Sequence, residues 1–176
     1  MHICYTTFFR AMNRQALNRI IIFLASTLLV ATLMIKAPSL YAADADFQIK
    51  KFGIDQNGDP FLTVEGTAGG TKPTQTGDIF AYVFFTDDGI YAVTSHPGIE
   101  DSSEVKDDAN WHAHKVKLDN NNCVTSLKEK GDALLHGNKV SVENIDQATK
   151  VDKVLTAKLV AENNNVCVKK VFDSKP

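Results

Sequence analysis

Apolar and polar residues alternate with period 2, turn signals recur about every ten residues, and no stretch carries a capped helical stripe. Together these predict an all-β protein. Short antiparallel strands separated by Asn and Gly turns are expected to pack as two facing sheets around one core. The prediction concerns residues 43–176 of the 176-residue chain, because the preceding segment has a different character.

The first hairpin joins Phe47 to Ile54 with Phe61 to Glu65 across DQNGDP, where Asn57-Gly58 suits the positive φ of a tight turn. The clearest hairpin is GDIFAYVFFTDDGIYAVTSH, expected to turn at Asp88-Gly89. Both faces of FAYVFF are apolar, as in a central strand covered above and below or one at a sheet interface. Trp111 to Leu118 and Cys123 to Leu127 follow, then ALLH and KVSV around Gly137-Asn138. The last pair is KVLTAKLVAE with VCVKKVF across Asn163 to Asn165. Leu and Ala in the former suggest a helix, but Val154, Thr156 and Val160 favour a strand.

These segments amount to about nine strands, an antiparallel two-sheet β-sandwich of immunoglobulin-like or cupredoxin-like kind, with a small closed barrel as the rival. The tryptophan-and-cystine core of an antibody domain is not matched, since Trp111 precedes both later cysteines.

Before the domain, Arg10, Arg14 and Arg19 precede an apolar run from Ile20 to Ile35, and small residues follow in APSLYAADA. Charge, apolar run and small residues in that order read as a secretory signal over residues 1–42, cleaved after Ala42. A start at Met12 gives a leader of ordinary length. The alternative is an uncleaved anchor, although the run is short of the roughly 20 residues of a spanning helix and Lys36 closes it.

Without the leader the 19 basic residues fall to 15, while all 21 acids remain, so the mature chain carries a net charge of −6. That acidity argues against nucleic acid or an anionic membrane as partner. Residues 43–176 suffice for one domain with a real core.

Cys4 leaves with the leader, and Cys123 and Cys167 remain. An even count in an exported chain predicts one disulfide. Each cysteine follows an asparagine run, NNNC and NNNVC, as if two turns delivered neighbouring strand starts. No C-x-x-C spacing suggests a metal-thiolate pair.

The long irregular segment is PGIEDSSEVKDDAN, Pro97 to Asn110, with five acids against Lys106. It reads as a solvated connection; a calcium site would want more regular oxygen spacing than it offers. DQNGDP has fragments of such a loop, but its hairpin role accounts for it.

The candidate site lies on either side of that segment. In a strand, His112, His114, Val116 and Leu118 share one face, while Trp111, Ala113, Lys115 and Lys117 share the other. The two histidines open the apolar face where a sandwich meets solvent, with Cβ atoms roughly 6–7 Å apart. His96 ends IYAVTSH, and a folded-back acidic segment would bring it to the same rim. His96, His112 and His114, with Asp101 or Asp108, would suit zinc or copper(II). His136, before a Gly-Asn turn, is expected to be exposed.

A blue-copper centre is excluded by composition, because Met1, Met12 and Met34 all lie in the leader and no Cys is closely followed by His. Nor is catalysis expected. Ser95 and His96 point to opposite faces of a strand, and there is no G-x-S-x-G, phosphate loop or H-E-x-x-H.

Taken together, YAVTSHPGIEDSSEV, WHAHKVKLD, GDALLHGNKVSV and VCVKKVFDS make most of the mature chain resemble small secreted β-domain proteins of ammonia-oxidising archaea. The resemblance implies an exported β-domain in organisms rich in copper enzymes, and it transfers no ligand assignment. Two functions are expected. The first is a secreted or surface-attached, non-catalytic structural or interaction module that meets an extracellular protein or surface component through its edge strands and acidic segment. The second is a copper- or zinc-binding protein that uses the histidines.

Overall fold

The computed structural model describes residues 45–99, 110–146, 148–163 and 165–176. The chain divides into two units, Met1–Leu40 and Tyr41–Pro176, and the description below concerns the second. The expected leader, with its possible start at Met12, lies outside the described residues. So do Asp101 and Asp108. Among the described residues no helix is long and apolar enough to cross a membrane.

Among the described residues ten strands form, in the order β1 (Ile49–Ile54), β2 (Pro60–Val64), β3 (Asp78–Thr86), β4 (Ile90–Ser95), β5 (His112–Leu118), β6 (Val124–Glu129), β7 (Asp132–His136), β8 (Lys139–Glu143), β9 (Val151–Glu162) and β10 (Asn165–Lys175). They make two antiparallel sheets, β1-β2-β8-β7 and β10-β9-β3-β4-β5-β6. The all-β, two-sheet expectation therefore holds.

The turn chemistry is visible in the backbone. Gly58 supplies a φ of 89° between β1 and β2, and Gly137 one of 60° between β7 and β8. Asp55 completes the first of these loops by accepting the amides of Asn57 at 2.9 Å and Asp59 at 3.3 Å. The asparagine runs act similarly: Asn122 and Asn163 take φ of 60° and 52°, reversing the chain ahead of Cys123 and β10. The β3–β4 turn centres one residue earlier than expected. Thr86 and Gly89 exchange both backbone hydrogen bonds, at 2.8 and 3.2 Å, and leave Asp87 and Asp88 at the tip.

Between the sheets lies the main core. Leu62, Val64, Val140 and Val142 from the four-stranded sheet meet Tyr82, Phe84, Tyr91, Val93 and Val154 from the six-stranded one. Aromatic rings close one end, with Phe47 stacked on Phe172 at 4.6 Å and edge-on to Phe80 at 5.3 Å. Two buried hydroxyls tie this core to the backbone. Tyr82 donates to the carbonyl of Asp46 at 3.0 Å and accepts the amide of Gly69 at 2.9 Å. Thr156 donates to the carbonyl of Phe47 at 2.7 Å.

β3 is central in the larger sheet, paired with β4 on one side and β9 on the other. Its second apolar face does not meet the four-stranded sheet. Ile79, Ala81 and Val83 instead join Ala92, Val116, Ala157 and Leu159 in a separate apolar cluster. This face turns inward because the sheet curls. β6 and β10 are its two edge strands, yet Cys123 and Cys167 form both a bridge pair and a disulfide between those edges. The amide of Val168 adds a hydrogen bond of 3.2 Å to the carbonyl of Asn122. The two asparagine-led turns thus deliver strand starts that meet, and the bridge clasps one sheet on itself.

Candidate metal centre

The register of one hairpin ladder builds the site. β4 and β5 pair so that Thr94 faces His112 and Ala92 faces His114. His96, just past the end of β4, is thereby placed diagonally from His112 on the adjoining strand, within reach of a ring. Strand alternation does the rest, since His112 and His114 share a face. The three rings converge: His112 stands edge-on to His96 with centroids 4.8 Å apart and to His114 at 4.7 Å, while His96 and His114 lie 6.4 Å apart. One ligand nitrogen from each lies within 4.8 Å of the other two.

The local hydrogen bonding shows how one imidazole is set. Nδ1 of His112 lies 2.8 Å from the carbonyl oxygen of Asn110. A carbonyl can only accept, so Nδ1 carries a proton, and in the neutral form of the ring the Nε2 lone pair points to the other side. That Nε2 is 3.1 Å from Nε2 of His96. In a neutral cluster one N–H must lie between the two nitrogens, and a cation bound there would take the place of that proton.

The site is deeper than the expected solvent-facing rim. His96 is 2% exposed and His114 1%. Beyond β5, β6 sets Glu129 opposite His114 in the ladder. His112 is only half-buried and lines a surface cleft with Trp111, Glu129, Lys130 and Asp132. It is the member of the cluster nearest an open surface. His136 is exposed at the end of β7 and takes no part.

His96 and His114 also border an apolar cavity on the inner face of the curled sheet, and Thr94 stands on the same wall. The sequence reading missed Thr94 and the cavity. Alternation counted back from His96 places Thr94 and Ala92 on its face, and that was the available signal.

The chain matches no family model, no curated protein and no solved structure. The functional reading therefore rests on the geometry of this chain alone.

Proposed function

We propose that this protein is a non-catalytic binding module whose His96, His112 and His114 hold a single copper(II) or zinc ion. The observation that carries the reading is the convergence of three imidazoles from two paired strands, with ligand nitrogens within 4.8 Å of one another. Imidazole nitrogen suits both ions, and three such ligands leave a position for a further donor. Two nitrogens on one zinc ion at roughly 2.0–2.1 Å stand about 3.3 Å apart in a tetrahedral arrangement. The His96 and His112 nitrogens, 3.1 Å apart, need little adjustment to reach it.

The disulfide is consistent with an extracellular location, where thiols oxidise and persist as bridges. Export through the leader completes the proposal: a protein outside the cytoplasm that captures a transition-metal ion. Electron transfer of the blue-copper kind is not part of it, because residues 43–176 contain no methionine.

Melting curves of the oxidised protein with and without metal test this. At a free metal concentration a hundred times Kd, binding stabilises by about 2.7 kcal/mol, which raises the midpoint by roughly 10 °C for a domain of this size. His112→Ala should remove the rise. An unchanged midpoint at saturating copper and at saturating zinc rejects the proposal.

A further inference from the structure

The curled face of the six-stranded sheet encloses a cavity of about 300 Å³. Its walls are mostly aliphatic, with Ile79 and Val83 from β3, Val116 from β5, Leu155 and Leu159 from β9 and Val168 from β10, and His96 and His114 stand on the same wall. Protein interiors are ordinarily packed to the density of organic crystals, so a space of this size calls for a cause. The cause here is a pair of small residues at the floor, Ala81 on β3 and Ala92 on β4, buried at 0% and 6% exposure. The volume lies at the lower end of small-molecule sites, about 300–1,000 Å³, and is far too small for a helix or strand of a partner.

Two further observations give the cavity an orientation. Thr94 is 7% exposed and stands on the wall, and its Oγ1 is buried with no hydrogen-bond partner among the described residues. Buried hydroxyls are ordinarily satisfied, and this one belongs to a residue of the cavity wall. Leu127 on β6 and Val171 on β10 also line the cavity, yet are 40% and 47% exposed. Exposed apolar side chains on a cavity wall mark an opening to solvent.

We propose that this cavity binds a small aliphatic molecule with one uncharged oxygen head group, of the class of medium-chain alcohols, the head hydrogen-bonded to Thr94 and the chain lying along the β3 and β9 walls. Beside Thr94 the other polar wall groups are the imidazoles of His96 and His114, and an uncharged head fits because the lysine of the wall, Lys153, lies away from Thr94. Its ammonium sits over the Phe85 ring, 5.5 Å from the centroid. Phe85 pairs with Ile90, at the opposite end of the β3–β4 ladder from the Ala81–Thr94 pair. The inference goes beyond metal capture and does not require it.

Isothermal titration of the oxidised protein with 1-octanol, in chelator so that no metal takes part, tests it. One saturable site per chain is expected. Thr94→Val keeps the shape and removes the hydroxyl, so it should weaken octanol about tenfold and leave cyclohexane, a probe without a head group, unchanged. Ala92→Leu fills the floor and should abolish binding of both probes while the β-rich circular dichroism spectrum is kept; Ala81→Val serves if that variant does not fold. Absence of saturable octanol binding by the unaltered protein overturns the proposal. So does undiminished binding to the filled variant, or an equal change for octanol and cyclohexane in Thr94→Val. Because metal is excluded throughout, failure of the histidine site to bind metal leaves the octanol result standing.

Discussion

Replacing Cys123 and Cys167 together by alanine should do more than lower stability; it should loosen one identifiable seam. The bridge closes a loop of 44 residues, and the chain-entropy relation assigns such a loop roughly 4 kcal/mol at 25 °C. That is a large share of the 5–15 kcal/mol typical of a whole domain, and it corresponds to a fall in melting midpoint of roughly 10–15 °C. The structure adds where the loosening occurs. β6 and β10 are otherwise edge strands, held to each other at the bridge pair and by the Val168–Asn122 hydrogen bond. Amide hydrogen exchange in the double variant should therefore accelerate in β6, β10 and the turn at Asp119–Asn122, while β3 and β4 remain the slowest segments. The assay is a thermal melt paired with exchange measured by mass spectrometry. A variant with an unchanged midpoint and unchanged protection in β6 and β10 would refute the view that the bridge holds the curl.

Two further perturbations address the core and its surface. Tyr82→Phe removes a buried hydroxyl that serves both the Asp46 carbonyl and the Gly69 amide, and should cost about 1–3 kcal/mol in a denaturant titration because both backbone groups lose their partner; burial also pushes the pKa of that hydroxyl up, so the loss should be flat across the neutral range. Asp55 is held below its ordinary value of 3.8 by its hydrogen bond to Lys139, aided by the Asn57 and Asp59 amides. A depressed carboxylate stabilises the fold above the unfolded pKa and loses that contribution as pH falls through the folded value. Asp55→Asn should thus cost about 0.5–1 kcal/mol at pH 7, discounted for the partial exposure of the ion pair, and the difference from the parent protein should shrink below about pH 4.

The elements that the sequence disclosed are those fixed by neighbours in the chain. Asn57-Gly58 and Gly137-Asn138 mark their turns through backbone preference alone, and the two-faced FAYVFF run already identifies β3 as a strand covered on both sides. Pairings between distant segments left no comparable trace. Nothing in Pro60–Val64 names Lys139–Glu143 as its partner, and nothing in Asp78–Thr86 names Val151–Glu162, because many apolar strands would pair equally well on local grounds. The histidine cluster was legible in half: His112 and His114 share a face by alternation. The approach of His96 depends on the register that sets Thr94 against His112, which a long intervening segment leaves open in sequence. Its depth was hidden for the same reason, since His114 shares a cavity wall with residues of β3, β9 and β10, which lie far from it in sequence. Ala81 and Ala92 carry no sequence signal of their own, and only the folded sheet turns them toward a common space.

X-ray absorption at the zinc edge of stoichiometrically loaded protein tests the central claim most directly. The account predicts one tightly held ion with three imidazole nitrogens at roughly 2.0–2.1 Å, and loss of that imidazole scattering in His96→Ala and His114→Ala. An oxygen-only shell, or the same spectrum from protein lacking these histidines, would contradict it.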